Sequence, residues 1–249
     1  VPTEQGGGQV TGAAGPEVLA AEALTALRAQ ADPGRATVMR RYAPTAEDHL
    51  GATVPQARAE AARIARVLKS RPPEAALATA EALLALGAFD TRCTAAYLLG
   101  RRPDVVRALT PEDVERLAVG NDNWAAVDAF TAEVAGPAWR DGQVTDADVR
   151  RWASSGDVWT RRMALVATTV RNRKGASEPE RTLEICERLV HDEHPLIRKA
   201  LSWALRALAP TAPEAVWAFL AAHAELPRSV TREVESKLRT GRKSASRHR

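Results

Sequence analysis

In the stretch "NDNWAAVDAF", residues 121–130, a tryptophan and an aspartate stand four residues apart among apolar neighbours. On a helix that spacing puts Trp124 and Asp128 on one face. The face is mostly apolar, and a carboxylate is costly to bury there unless it is paired. Further along lie the arginine pair Arg161 and Arg162, and then Lys199, Trp203 and Arg206 spaced as neighbours on a helix. Together these are the residue types that can do chemistry or recognition: one isolated carboxylate, two aromatic rings and a set of cations. A solitary aspartate of this kind either serves an arginine as a salt-bridge partner or is kept for a reaction. A tryptophan at a helix start usually packs, and we assign Trp152, Trp159 and Trp217 to packing between neighbouring helices.

The elements that must position these residues are helices. Alanine, leucine, arginine and valine dominate the 249 residues, and aromatics make up only 4%, a helix-forming composition. Apolar periodicity predicts helices at 16–31, 33–42, 54–70, 73–87, 89–101, 111–119, 123–135, 147–155, 158–172, 178–191, 194–209, 212–223 and 227–239. The breaks fall at "ADPG", "SRPPE", "LGAFD", "TPEDV", "ASSGD", "HDEHP" and "LAPTAPE", and "TPEDVERL" and "TDADVRRW" carry N-cap signals. No segment has the pattern of a strand. Four segments repeat: "FDTRCTAAYLLG", "WAAVDAFTAEVA", "WTRRMALVATTV" and "LIRKALSWALRA" begin at residues 89, 124, 159 and 196, at intervals of 35, 35 and 37. A period in this range built from helix pairs predicts an all-α, HEAT-like α-solenoid of antiparallel helix pairs. The four segments would form its inner row. The expected organisation is a disordered lead over 1–15, one solenoid domain over 16–240 and a basic flexible tail over 241–249.

Composition narrows the function classes. The net charge is +4 and the pI about 9.4, with the basic residues concentrated from Arg150 onward in "RRW", "TRRM", "RNRK", "IRKA" and "LRTGRKSASRHR". A basic face of this kind suits polyanions. No apolar run is long enough to cross a bilayer, and the glycine-rich opening lacks the apolar core of a secretory signal. Cys93 and Cys186 lie far apart and predict buried thiols of a reducing compartment. The five histidines show no metal-binding spacing, so we expect neither metal nor cofactor. At this point an enzyme and an interaction scaffold fit equally.

A resemblance carried by the order of motifs along the chain, with the carboxylate retained, favours the enzyme. "RRYAP" with "HLGATVPQAR", then "NWAAVD", "WASSGDVWTRRMALV", "IRKALSWALRAL" and "EAVWAFLAAHAELPRSVTREV" resemble, in order and approximate spacing, the bacterial HEAT-repeat alkylpurine DNA glycosylases, the AlkD-type DNA alkylation repair family. The resemblance runs from about Ala36 to Leu238. Asn123 and Ala125 depart from that family, which often has an aromatic before the tryptophan and a polar or acidic residue after it. The resemblance implies a concave, basic DNA-binding groove and a monofunctional DNA glycosylase. Such an enzyme hydrolyses the N-glycosidic bond of cationic N3- or N7-alkylated purines in duplex DNA, bulky adducts included, within base excision repair. It implies Asp128, Trp124 and Trp203 as catalytic residues, and Tyr42, Arg161, Arg162, Lys199 and Arg206 as DNA contacts. It further implies a lesion that is not extruded into a tight pocket, a monomer, and a cytoplasmic, nucleoid-associated place of work. The alternative is a non-catalytic HEAT-repeat scaffold that binds DNA structures or a protein.

Overall fold

The computed structural model describes residues 14–172 and 177–243. Most of the predicted lead, half of the "RNRK" cluster and most of the basic tail lie outside the described residues. Among those described, every regular element is helical: α1 (Pro16–Ala29), α2 (Pro33–Tyr42), α3 (Val54–Val67), α4 (Pro73–Ala85), α5 (Phe89–Gly100), α6 (Pro103–Ala108), α7 (Pro111–Ala118), α8 (Trp124–Phe130), α9 (Gly136–Asp141), α10 (Asp146–Ala153), α11 (Val158–Arg171), α12 (Pro179–Arg188), α13 (Pro195–Leu208), α14 (Pro213–Ala222) and α15 (Arg228–Thr240). Among the described residues the sole extended pairing is an isolated bridge between Asp48 and Ala88.

Local chemistry explains the starts. Proline is the first residue of α1, α2, α4, α6, α7, α12, α13 and α14, where its fixed φ suits the helix and its missing N–H is not needed. Thr53 with Gln56, Thr110 with Asp113 and Thr145 with Asp148 close capping boxes on α3, α7 and α10, which satisfies otherwise orphaned N–H groups. The short α6 was not anticipated: its six residues span too few turns to show a period.

The helices stack in two rows. Helices α3, α5, α8, α11, α13 and α15 follow one another as neighbours, and α4, α10, α12 and α14 each back onto this row. This is the predicted solenoid, and the repeated segments do supply its inner row. Two inner helices are enclosed over most of their length: residues 90–99 of α5 and 162–171 of α11 are all buried. The sulfurs of Cys93 and Cys186 are buried free thiols, and burial pushes both far above the usual range.

The helix bearing Trp124 departs from regularity. It was expected to end at 135, before the Gly136–Pro137 pair. Instead the chain continues through a π-helical turn, Thr131–Ala135, into α9. The wider turn loosens the backbone so that Pro137 falls in the first turn of α9, where its lack of an N–H is tolerated. Gly136 is required there, because an added Cβ would lie 2.5 Å from Val170 Cγ2 of α11.

Candidate functional site

Asn123, one of the two departures noted in the sequence, caps α8: its Oδ1 accepts from Ala125 N and Ala126 N, both at 3.0 Å. This cap fixes the first turn and with it Trp124. The indole Nε1 donates to the carbonyl of Tyr42 at 3.0 Å, and the two rings meet edge to face with centroids 5.0 Å apart. The loop after α2 is tied down beside them. Asp122 accepts from Ala46 N at 2.7 Å, and Glu47 pairs with the buried Arg92 at 2.6 Å.

The turn "HLGAT" closes the other side. Asp90 at the start of α5 accepts from Leu50 N and Ala52 N, each at 2.8 Å. Gly51 sits at φ +95° with no room for a Cβ against the Asp32 carbonyl, so only glycine fits. His49 is buried, with Nε2 2.8 Å from the Ala43 carbonyl and its ring against Phe89. It is a structural tether. Among the described residues no group of three or more metal-ligating side chains comes together.

Asp128 has the partner that the apolar face demanded. Arg162 Nε donates to Oδ1 and Nη2 to Oδ2, both at 2.8 Å, while Nη1 donates to the Leu196 carbonyl at 2.7 Å. The side chains are 18% and 6% exposed. Burial pushes the Asp128 carboxyl above the ordinary carboxylate range, and the Arg162 hydrogen bonds oppose that rise. The pair joins α8, α11 and the start of α13 through one guanidinium.

Two clefts meet at Trp124 and Tyr42, which line both. One, of about 410 Å³, is walled by Met39, Phe89, Cys93, Tyr97, Ala125 and Ala129 and is mainly apolar. Asp128 lines it. The other, of about 640 Å³, is lined by Arg41, Trp159, Arg162, Lys199 and Lys243 among others. The ion pair thus spans the junction, with its carboxylate on the apolar side and its guanidinium on the basic side.

The remaining sequence-predicted residues divide. Tyr42 is 65% exposed at the mouth, and Lys199 is exposed in the basic cleft with no acidic partner among the described residues. Arg161 points elsewhere: its Nε donates to Asp192 at 2.7 Å and its Nη1 to the carbonyls of Ser155 and Gly156, where it braces two inter-helix loops. Trp203 is partly buried against the core and lines neither cleft. Arg206 is half-buried between Ser202 and Glu233, and burial lowers its pKa below the ordinary arginine value. Of the tryptophans assigned to packing, Trp152 is buried with Nε1 on Glu115. Trp159 instead lines the basic cleft, and Trp217 is 38% exposed beneath the Arg239 guanidinium. Arg41, Lys243, Arg58 and Glu133 were missed, although Arg41 stood in the quoted "RRYAP" and Lys243 in the quoted tail.

An all-helical solenoid holding an arginine-clamped carboxylate at the meeting of an apolar and a basic cleft defines the class of protein. The chain matches the family model described as DNA alkylation repair enzyme over residues 23–238, and it belongs to that family. Among solved structures it is similar to a predicted DNA alkylation repair enzyme from Enterococcus faecalis, at 20% identity and a TM-score of 0.68. The match covers 85% of this chain and 98% of that one. At that identity the likeness speaks for the fold. No curated protein matches the chain. No helix among the described residues is long and apolar enough to cross a membrane.

Proposed function

We propose that the protein is a monofunctional DNA glycosylase that releases cationic N3- or N7-alkylpurines from duplex DNA as a step of base excision repair. The observation that carries this reading is the position of the Asp128–Arg162 pair between a basic cleft suited to phosphates and an apolar cleft beside Trp124.

An alkylpurine cation is already a good leaving group. When the glycosidic bond breaks, its electron pair goes to the purine nitrogen and the base departs neutral. Positive charge then develops on the deoxyribose as an oxocarbenium ion. A fixed, poorly solvated carboxylate beside C1′ stabilises that charge. Water adds to C1′ and loses a proton to the carboxylate or to solvent. Asp128 supplies the carboxylate. Arg162 keeps it ionised and aimed, which suits a positioning role better than a phosphate grip, since three of its N–H donors are already committed. Trp124 and Tyr42 offer π faces and edges to a cationic base, while Arg41 and Lys199 attract the backbone. The enzyme would act as a monomer at the cytoplasmic nucleoid.

One observation favours the second reading, a non-catalytic DNA scaffold: both Asp128 oxygens are already engaged. The two readings part on single-turnover release of N7-methylguanine or N3-methyladenine from duplex DNA. A glycosylase releases free base and Asp128→Asn does so far more slowly at similar duplex affinity. Binding without release by the parental protein from any alkylated duplex would establish the scaffold.

A further inference from the structure

Trp124 stands at the junction of the two clefts, and it is held from two directions. Its indole Nε1 donates to the carbonyl of Tyr42, at the end of α2. Its backbone opens α8 at the end of the loop 119–123, where Asn123 caps the helix. The seat of the ring therefore depends on how that loop meets the loop 43–48 after α2. Asp122 ties the two directly, through Ala46 N. A second tie runs through Arg92 of α5. Its Nε donates to both oxygens of Glu47 at 2.9 Å and its Nη2 to Oε1 at 2.6 Å, while its Nη1 donates to the Val119 carbonyl at 3.0 Å. Gly120 leaves room for the guanidinium, since an added Cβ would lie 2.6 Å from Nη2.

The repeat explains the geometry of this tie. The fourth residue of the repeated segment is Arg92, Val127, Arg162 and Lys199 in turn. Arg162 grips Asp128 with Nε and Nη2 and gives Nη1 to the Leu196 carbonyl, at the start of the next inner helix. Arg92 repeats that pattern two segments earlier, with Glu47 as the carboxylate and Val119, just before the next inner helix, as the carbonyl. A planar guanidinium makes both bonds at once, which a lysine ammonium on its flexible stem does not reproduce. The two arginines differ in what they hold. Arg162 lines the basic cleft and its carboxylate the apolar one. Arg92 is 8% exposed, and neither it nor Glu47 lines either cleft. What Arg92 holds is the pair of loops that carry Tyr42 and Trp124.

We propose that Arg92 is a positioning residue for Trp124. By joining Glu47 to Val119 it fixes the spacing of the two loops. That spacing sets the bond from the indole to the Tyr42 carbonyl, and with it the attitude of the ring at the cleft junction. A group that meets the reacting part of a substrate has to be held within about 0.5 Å by the residues behind it, and a displacement of about 1 Å commonly costs about 100-fold in rate. The consequence for base release rests on the glycosylase reading, whereas the effect on the ring does not.

The test compares two arginines. Arg92→Lys keeps the charge but loses the fork. Arg102→Lys is the reference: Arg102 is also 8% exposed and bonds Asp104 and the carbonyls of Leu68 and Arg71, away from both clefts. Both changes should lower the urea midpoint. Only Arg92→Lys should shift the indole N–H resonance of Trp124, which is assigned by its loss in Trp124→Phe. Only Arg92→Lys should slow single-turnover release of N7-methylguanine, by about 10- to 100-fold, at near-parental duplex affinity. Trp124→Phe cannot make the bond to Tyr42, so adding Arg92→Lys to it should slow release little further. Glu47→Gln keeps the shape and weakens the grip. It should move the same resonance and rate by smaller amounts, and it decides the matter if Arg92→Lys does not fold. An unmoved Trp124 resonance, or a parental release rate, in the folded variant overturns the proposal. So does an equal slowing by Arg102→Lys, which would mark lost stability alone, and so does full additivity with Trp124→Phe. A parental protein that releases no base from any alkylated duplex sinks the glycosylase reading instead, and the Trp124 resonance then decides the role of Arg92 by itself.

Discussion

The two sides of Trp124 are built by different means. On the N-terminal side, α2, α3, α5 and the π turn enclose an apolar cleft whose arginines are already paired. On the C-terminal side, α11 and α13 open onto a basic cleft where Lys199 lacks an acidic partner among the described residues. Neighbouring arginines of α11 show the same division: Arg162 clamps the carboxylate of the site, while Arg161 turns back to Asp192 and two loop carbonyls. Charge alone therefore does not mark a DNA contact. A cation is available to phosphate only where the fold has left it without an acid.

Breaking the clamp should have the largest effect. Removing one partner of a buried ion pair leaves an uncompensated charge and costs about 3–5 kcal/mol, so Arg162→Gln should lower the urea midpoint by a correspondingly large amount. Arg162 joins three helices, and an unchanged midpoint would show that the pair is not buried in solution. The same variant sharpens the pH behaviour. Burial raises the Asp128 pKa and Arg162 opposes the rise. On the proposed mechanism the ionised form does the work, so single-turnover release should fall as pH drops through a midpoint above the ordinary carboxylate range. Without Arg162 that acid limb should move to still higher pH. A pH–rate profile checks both statements.

Asp128→Asn comes next. It keeps the shape but removes the charge that the proposed cationic transition state would need, and losing one preorganised electrostatic contact commonly costs on the order of 3 kcal/mol, or about 100-fold in rate. The loss should appear in single-turnover release far more than in duplex affinity. Equal rates would take Asp128 out of the mechanism.

The difference between the clefts can then be tested by salt. Lys199→Ala and Arg41→Ala should each lower the log–log salt slope of duplex binding by about 0.9, whatever the sequence. Arg161→Ala should leave that slope unchanged, because its guanidinium is spent on loops. If Arg161 changes the slope as Lys199 does, the distinction between committed and free cations fails. The smallest effect is expected far from both clefts. The exposed pair of Arg151 and Glu115 should be worth about 0–1 kcal/mol in a double-mutant cycle of stability.

Much of this molecule was legible without coordinates. Helix starts are local: proline at the first position, a threonine cap, an acid or amide three residues on. So are periods of 3.6, and the intervals of 35, 35 and 37 between inner helices follow from counting. The closeness of Trp124 to Asp128 also needed only helical spacing, and the apolar face already marked Asp128 as either paired or kept for a reaction. Which partner, and what else shared its surroundings, depended on how separate helices pack. Arg161 and Arg162 are adjacent in sequence, yet about 100° of helix rotation separates them, and the placement of α8 and α13 chose Arg162. Trp203 looked like a companion of Trp124, but the packing of α13 lays it against the core. The π turn, hidden because Gly136–Pro137 reads as a stop, carries the chain on into α9. Local pattern determines which residues share a helix face, because that depends on rotation per residue. Only the tertiary structure decides which faces meet, because that is settled by the packing of whole helices against one another.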